Sequence, residues 1–405
     1  MEEAALDSSY LSLGNRRTES VHEFYRYPAR FSPELAASII DAFSEPGDLV
    51  MDPFVGGGTT AVEAQRLGRR GVVADLNPIA TFVTRAKTAR YRQVELREAA
   101  DVVERFHEAL TLSRRPKGQE HWQDLGYWRN VSTSTTWRIR RTIELALDLV
   151  STMRWRRSRL LVRCGLLRTA QWALDMREEV PAVGEFRRQL IGNLHSMIEV
   201  AQDADRSSAE LRVVDRGLPE LAHYPAVKAA GPPRLVLTSP PYPGVYVNYH
   251  RWKVQGRRET PAPFWVTGSR DGHGLSHYTL GARADKSLDT YFARLTSAFE
   301  GLVSIMGDES WLIQIVGFSD PTNQVPRYLA AMEALGLNEV SLSSGLRREA
   351  SGSGAIFLSA VGGCRPALWA TSLPTQLARS CSATERQRDL RLDAFVEGTD
   401  RVKCG

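Results

Sequence analysis

The sequence predicts an α/β protein with a doubly wound, mostly parallel sheet. Two observations lead to this prediction. Short apolar stretches that end in polar residues recur along the chain, at residues 49–52, 70–75 and 234–238, as expected for buried parallel strands. A glycine-rich turn and the helical stretch 61–67 follow the first of them. A strand, a glycine turn and a helix start together form the ligand crevice of such sheets.

The elements before residue 94 follow in order. Residues 33–43 predict an amphipathic helix that leads into the first strand, and Asn77 before Pro78 predicts the start of the helix after the second strand. A carboxylate at the end of the second strand of such a crevice accepts hydrogen bonds from ribose hydroxyls, so Asp75 is a candidate ribose ligand. A P-loop is excluded because no Gly-Lys-Ser/Thr follows Gly58, whereas a nicotinamide enzyme would use the same crevice.

Residues 94–210 separate the second strand from the third and have a helical period. Tryptophans and arginines are interleaved here. Because guanidinium groups bind phosphates and exposed rings stack on bases, the segment is a candidate target-recognition region, with Arg138, Arg140 and Arg141 as candidate DNA contacts. The alternative is a helical subdomain with its arginines on a solvated face, and each tryptophan taken singly is expected in a core.

The second half of the chain completes the predicted sheet. Strands are predicted at residues 211–215, 310–316, 340–346 and 355–361, the last two as a terminal antiparallel pair, and helices at 288–306 and 326–335. Glycines between residues 256 and 285 predict a mobile excursion. The predicted organisation is a core in two parts, 1–93 and 211–364, with a helical insertion at 94–210 and a polar tail at 365–405.

Composition sets broad limits on the function. A chain of 405 residues with 42% hydrophobic residues can bury a large core, and a net charge of +5 permits a polyanionic partner without requiring one. We expect a cytoplasmic protein without a signal peptide or membrane span, since the N-terminus is acidic and no run of 18 apolar residues occurs. The four cysteines are scattered, which predicts reduced thiols and no metal site.

The stretch Ser239-Pro240-Pro241-Tyr242, directly after the apolar residues 234–238, suits chemistry on an exocyclic amine. Proline fixes φ and has no N–H, so the turn is rigid and offers acceptors, namely the Ser239 hydroxyl and the Pro240 carbonyl. The Tyr242 ring beside them could stack on a flat base. An ordinary Pro-Pro strand exit is the alternative for this motif alone.

Together these motifs resemble those of the DNA methylase N4/N6 family. Residues 52–60, Asp-Pro-Phe-Val-Gly-Gly-Gly-Thr-Thr, resemble the family's cofactor motif, and residues 239–242 resemble its catalytic motif. Residues 27–33 are similar to a segment that closes over the methionine part of the cofactor. The resemblance implies a class I methyltransferase, Rossmann-like, that binds S-adenosylmethionine. The residues implied to bind it, besides Asp75, are Pro28, Ala29, Asp52, Phe54, Gly56, Gly58, Thr59, Thr60 and Asp215.

The resemblance further implies transfer of a methyl group to an amine of a base flipped out of duplex DNA, in a restriction-modification or defence system with a possible cognate restriction enzyme. Serine before Pro-Pro favours cytosine N4 over adenine N6 by family correlation. Tyr246 and Tyr249, in the loop after the motif, are candidate base contacts. The alternatives are an RNA guanine-N2 enzyme and an inactive nucleic-acid-binding protein on the same scaffold. A cytosine-C5 mechanism is excluded because no cysteine follows a proline.

Overall fold

A seven-stranded sheet is the centre of the computed structural model, which describes residues 20–28, 30–204, 209–242, 250–256, 258–272, 280, 288–318, 320–339 and 354–361. Its strands are β1 (Leu49–Asp52), β2 (Arg70–Ala74), β3 (Leu211–Val214), β4 (Leu235–Thr238), β7 (Trp311–Gly317), β8 (Leu337–Glu339) and β9 (Gly354–Val361). Strands β5 (Trp252–Val254) and β6 (Arg258–Thr260) form a separate hairpin. The sheet order is β3-β2-β1-β4-β7-β9-β8.

The direction of the strands explains where a ligand crevice can form. β3, β2, β1, β4 and β7 pair in parallel, whereas β9 is antiparallel to both β7 and β8. From β1 the chain proceeds outward to β2 and β3, and then returns to add β4 on the other side of β1. Ligands bind at such a switch point, beyond the carboxyl ends of the strands. The predicted class I methyltransferase fold, with its terminal antiparallel pair, is confirmed.

Helices cover both faces of the sheet and form the insertion. Those of the core are α1 (Pro33–Phe43), α2 (Thr59–Arg66), α3 (Pro78–Thr88), α9 (Leu218–Leu221), α10 (Pro225–Lys228), α12 (Leu288–Val303) and α13 (Pro321–Glu333). Local sequence sets their starts. The Ser32 side chain accepts from the Leu35 amide and that of Asn77 from the Ile79 amide, each just before a proline at the first helical position.

The insertion is a helical layer with its own core. It contains α4 (Gln93–Ala109), α5 (Glu120–Asp124), α6 (Trp137–Ser151), α7 (Arg156–Leu174) and α8 (Val183–Asp203), so its predicted helical character is confirmed. Buried side chains such as Phe106, Ile143 and Leu194 pack together and against Val83 of α3. The insertion is therefore attached to the sheet-containing core through the helix that follows β2.

The region after β4 departs from the sequence prediction. Part of the predicted mobile excursion is ordered: β6 and helix α11 (Ala262–Thr267) follow β5 and pack into the core of the insertion. Trp252, Phe264 and Trp265 are almost fully buried there. The prediction of a mobile segment was wrong for Phe264 and Trp265 because aromatic side chains of this segment find partners far away in sequence, including Trp128, which meets Trp265 edge-on.

A further boundary differs from the prediction. The helix expected at residues 326–335 begins at Pro321, where the Asp320 side chain accepts from the Asn323 amide, and Pro326 lies inside it. A strand is found at Leu337–Glu339, directly before the one expected at 340–346; residues 340–346 and the tail lie outside the described residues, so the strand expected there stays a prediction. In the described part of the chain, no helix combines the length and apolar character that crossing a membrane requires.

Candidate functional site

A cavity of about 400 Å³ opens at the carboxyl ends of β1, β2 and β4. This volume is within the usual range for small-molecule sites. The cavity brings together several segments that are distant in sequence. Its lining includes the predicted site residues Pro28, Phe54, Gly56, Thr59, Asp75, Ser239, Pro240, Pro241 and Tyr242. The cofactor motif and the Ser-Pro-Pro-Tyr motif therefore face one space.

The glycine-rich turn between β1 and α2 forms one wall, and its glycines are required sterically. Gly56 and Gly58 have φ values of +47° and +82°, a region that side-chain-bearing residues rarely adopt. A Cβ on Gly58 would also lie 2.8 Å from the Thr84 hydroxyl oxygen, and one on Gly57 would lie 3.1 Å from the Tyr27 Cβ. The glycines thus allow the left-handed backbone of the turn and the close packing of Tyr27 and Thr84 against it.

Asp75 is fixed at the end of β2 by two main-chain donors. One carboxylate oxygen accepts from the Gly56 amide at 2.9 Å and the other from the Asn77 amide at 2.8 Å. Burial raises the pKa of Asp75 to about 6, although both amides favour the ionised form. Each carboxylate oxygen has more than one acceptor position, so a vicinal diol can still be bound. The position suits the predicted role as ribose ligand.

Four predicted cofactor residues lie behind or beside the cavity and do not line it: Gly58, described above, and Asp52, Thr60 and Asp215. Asp52 is buried between strands, where it accepts from the Thr238 hydroxyl at 2.7 Å and the Phe54 amide at 3.1 Å. Thr60 is fully buried in α2, with its hydroxyl 3.4 Å from the Leu237 carbonyl oxygen. Asp215 forms an ion pair with Arg85 at 2.9 Å. Asp52 and Thr60 join β1 and α2 to β4 at the switch point.

The serine of the Ser-Pro-Pro-Tyr turn is oriented by the neighbouring strand β7. The Ser239 hydroxyl donates to the Ile315 carbonyl oxygen at 2.8 Å and lies 3.1 Å from the Tyr242 hydroxyl oxygen. Because the single proton of Ser239 is directed to Ile315, Tyr242 is the donor in the second contact. The Tyr291 hydroxyl donates to the Pro241 carbonyl, leaving the Pro240 carbonyl as the acceptor that the sequence prediction assigned to substrate.

The cavity also contains residues that the sequence did not single out as individual site residues. They include Tyr27, Arg30, Asn77, His250, Arg294 and Ser297. Tyr27 and Arg30 belong to the segment 27–33 that resembles the family's cofactor-closing segment. Asn77 was predicted only as a helix start, but its side-chain amide nitrogen donates to the Tyr27 hydroxyl oxygen at 3.2 Å. Burial lowers the pKa of His250 to about 4, so this imidazole is neutral at pH 7. No local signal pointed to Arg294, which α12 carries to the cavity.

The predicted DNA contacts on α6 differ in their surroundings. Arg138 is exposed and lies over the Trp137 ring at 5.0 Å. Arg140 is largely covered, 2.6 Å from a Glu144 carboxylate oxygen and 4.3 Å from the Trp128 ring centre. Arg141 donates to the Arg114 carbonyl oxygen at 2.8 Å. Arg140 therefore stabilises the insertion through these contacts, independently of any contact with DNA. The predicted contacts Tyr246 and Tyr249, and the predicted cofactor residue Ala29, lie outside the described residues.

Comparison with known proteins points to the same family. Residues 7–83 match the family model described as DNA methylase, which comprises N6 and N4 enzymes. The chain is 31% identical over 75 residues to the Type II methyltransferase M.MjaII of Methanocaldococcus jannaschii, covering 18% of this chain and 14% of that protein. It is 32% identical over 88 residues to M.BsoBI of Geobacillus stearothermophilus, covering 22% and 17%.

A third similar protein is M1.MboII of Moraxella bovis, 47% identical over 53 residues, which cover 13% of this chain and 20% of that one. The matched part is less than a quarter of each of these relatives. Among solved structures, the rRNA methyltransferase aviRa from Streptomyces viridochromogenes covers 88% of this chain and 93% of its own at 12% identity, but with a TM-score of 0.31 it supports no inference. The predicted resemblance to the N4/N6 DNA methylase family is confirmed over residues 7–83.

Proposed function

We propose that this chain is an S-adenosylmethionine-dependent DNA methyltransferase that modifies the exocyclic amine of cytosine at N4. The observation that carries the proposal is the shared cavity, where the Asp75 carboxylate and the glycine turn face the Ser239 hydroxyl across one space. One wall suits a nucleoside and the other offers acceptors to an amine. A nicotinamide enzyme would explain the first wall only.

The residues around the cavity fit S-adenosylmethionine. Asp75 would accept from the ribose hydroxyls, and Gly56 and Gly57, which line the cavity beside Tyr27, leave their main chain uncovered by side chains of their own. Pro28 and Phe54 add apolar surface. When bound, S-adenosylmethionine supplies an electrophilic methyl group, and the protein needs only to hold the acceptor amine in line with it.

The protein's part in the reaction is positioning and polarisation of the amine. With its own proton directed to Ile315, Ser239 presents a lone pair, and the Pro240 carbonyl presents another in the same rigid turn. Both would accept from the –NH₂ group and increase electron density on its nitrogen. Tyr242, tethered to Ser239 through its hydroxyl, offers its ring to the base. The direct attack needs no covalent enzyme intermediate.

A base inside a duplex cannot reach this turn, so the proposal includes extrusion of the target nucleotide, which costs a few kcal/mol of stacking and pairing. Cytosine N4 is preferred over adenine N6 on the family correlation with serine at position 239. The relatives are Type II methyltransferases, and this supports a restriction-modification setting with a cognate restriction enzyme as a possible partner.

Nucleoside mass spectrometry tests the proposal. Duplex DNA treated with the full chain and S-adenosylmethionine should yield N4-methylcytosine, and the Ser239→Ala variant should yield far less. N6-methyladenine alone would overturn the base assignment, and 5-methylcytosine would overturn the mechanism. Methylation of RNA only would favour the RNA guanine-N2 alternative. Cofactor binding with no methylated product on genomic DNA would favour an inactive nucleic-acid-binding scaffold.

A further inference from the structure

A second, larger cavity lies between the core and the insertion. It is a groove of about 1040 Å³ bounded by the end of α3, the first half of α7 and the edge strand β3. The groove lies away from the methyl-transfer cavity, because α3 begins beside that cavity at Asn77 and only its later turns, from Phe82 onward, line the groove. At 1.5 Å per residue, the 11 residues of α3 span about 16 Å.

The lining of the groove is strongly basic. Its charged residues are Arg85, Arg90, Arg156, Arg157, Arg159 and Arg163, against Glu210 as the one carboxylate of the lining in the part of the chain described. Six positive charges and one negative charge leave an excess of five positive charges on this one concave surface.

Carboxylates outside the groove lining pair with some of these arginines and not with others. Arg85 pairs with Asp215, and Arg157 lies 3.8 Å from a Glu95 oxygen that Arg92 also approaches. Arg156 and Arg163 form no ion pair with a carboxylate of a described residue, whereas Arg159 acts electrostatically on the Glu98 carboxylate and donates to the Met153 carbonyl oxygen at 2.6 Å. The groove therefore has unbalanced positive charge available for an anion.

The surroundings of Arg163 are energetically unfavourable for its positive charge. Its guanidinium is largely covered, and burial lowers the pKa of this group. Its Nη1 donates to the Val266 carbonyl oxygen at 3.3 Å and lies where a Cβ on Gly268 would be, at 2.3 Å. Covering a cation without a carboxylate is unfavourable. An anionic ligand in the groove would offset that cost.

We propose that this groove binds the phosphate backbone of DNA outside the target-base cavity, an inference that rests on the proposed function. From Arg156 to Arg163 the helix rises about 10 Å, which corresponds to roughly three phosphates along one DNA strand. A single small anion would not use charge spread over that length. The groove contributes affinity and orientation, and the base-modifying groups stay in the other cavity.

The test compares two double variants that each remove two exposed arginines: Arg156→Ala/Arg157→Ala in the groove and Arg105→Ala/Arg188→Ala elsewhere in the insertion. Binding of a 30-bp duplex is measured by fluorescence anisotropy over a range of salt concentrations. The groove variant should bind more weakly and lose between about one and two units of the log–log salt slope, one for Arg156 and up to one for Arg157, whose charge Glu95 partly offsets, while S-adenosylmethionine affinity is unchanged. The control variant should match the parent, and thermal melting verifies that all three are folded.

Equal slopes for the groove variant and the parent would overturn the inference, as would equal losses in both double variants, which would indicate a general charge effect. Tighter binding of an RNA duplex than of the DNA duplex would overturn the assignment to DNA. The two proposals fail separately. Methylation without a slope change leaves the enzyme proposal standing, whereas a slope change without any methylated base leaves a DNA-binding groove on a protein of another activity.

Discussion

The Lys87 ammonium nitrogen lies 2.8 Å from the Gly57 carbonyl oxygen, directly beneath the glycine-rich turn of the cavity. Lys87 is 1% exposed, and the charged group with the strongest electrostatic effect on it is Arg30, which is also positive. Burial, reinforced by Arg30, lowers the pKa of Lys87 to about 7, while Cys164 and Glu23 act weakly in the opposite direction. The turn is thus held from below by a lysine that titrates near neutral pH.

This lysine makes stability depend on pH. The pKa falls from an ordinary 10.5 to about 7 on folding, so between these values the unfolded chain binds one more proton than the folded chain. Stability contributed at this site should therefore rise with pH from about 7 to 10. The variant Lys87→Met lacks this term, and its stability relative to the parent should decline over the same range. Urea unfolding at several pH values measures the difference.

Lys228→Met, at an exposed position on α10, is the control and should give a constant difference from the parent. Parallel stability profiles for Lys87→Met and the parent would show that Lys87 does not titrate in this window.

The parts of the fold that local sequence determines were predicted well. Strand β1, helix α1, the helix start at Asn77 and the helical period of the insertion depend on residues close together in the chain. The burial of Trp252 and Trp265 could not be predicted, because their partners lie more than a hundred residues away. Pro326 was a misleading helix start, since the true signal was Asp320 before Pro321.

The same distinction applies to the candidate site. Residues at strand ends, such as Asp75 and Ser239, were identified because a motif and a strand end coincide. Arg294 reaches the cavity only through packing of α12 on the sheet, and no spacing in the sequence indicates it. Likewise, the arginines of the groove were expected to act somewhere in the insertion, but the surface they share with Arg85 of the core is a property of the folded chain.

Asp75 should control cofactor affinity. Replacing it by asparagine removes a charged acceptor, worth about 1.5–3 kcal/mol, so the dissociation constant for S-adenosylmethionine should rise roughly tenfold to a hundredfold. Because burial raises the pKa of Asp75 to about 6, the parent should also lose affinity as the pH falls below 6, and the variant should not. Isothermal titration calorimetry at pH 5.5 and 7.5 measures both effects.

Asp215→Asn is the matched control, since Asp215 pairs with Arg85 and does not line the cavity. We expect a smaller change in affinity for this variant. An unchanged dissociation constant for Asp75→Asn would mean that Asp75 is not the ribose ligand.

The arginines of α6 should separate into a structural and a surface class. Arg140→Ala leaves Glu144 covered without its cation, and should lower stability by about 1–3 kcal/mol. Arg138→Ala should leave stability unchanged because Arg138 is exposed; if it contacts a phosphate, the salt slope of DNA binding should fall by about one unit. Denaturant unfolding and anisotropy titrations give the two quantities. Equal stability losses in both variants would contradict this division.

The Ser239–Tyr242 pair allows the acceptor and the stacking surface to be tested separately. Tyr242→Ala should remove about 1–3 kcal/mol of stacking on the flipped base and lower turnover, with S-adenosylmethionine affinity nearly unchanged. Tyr242→Phe retains the ring but loses the 3.1 Å contact with the Ser239 hydroxyl, so it should bind DNA like the parent. Ser239→Ala should reduce methyl transfer more than DNA binding, because its hydrogen bond matters most as the amine attacks.

Single-turnover rates and duplex affinities measured on the same preparations test this division. A Tyr242→Phe variant as weak in DNA binding as Tyr242→Ala would contradict stacking, and full activity of Ser239→Ala would remove serine from the reaction.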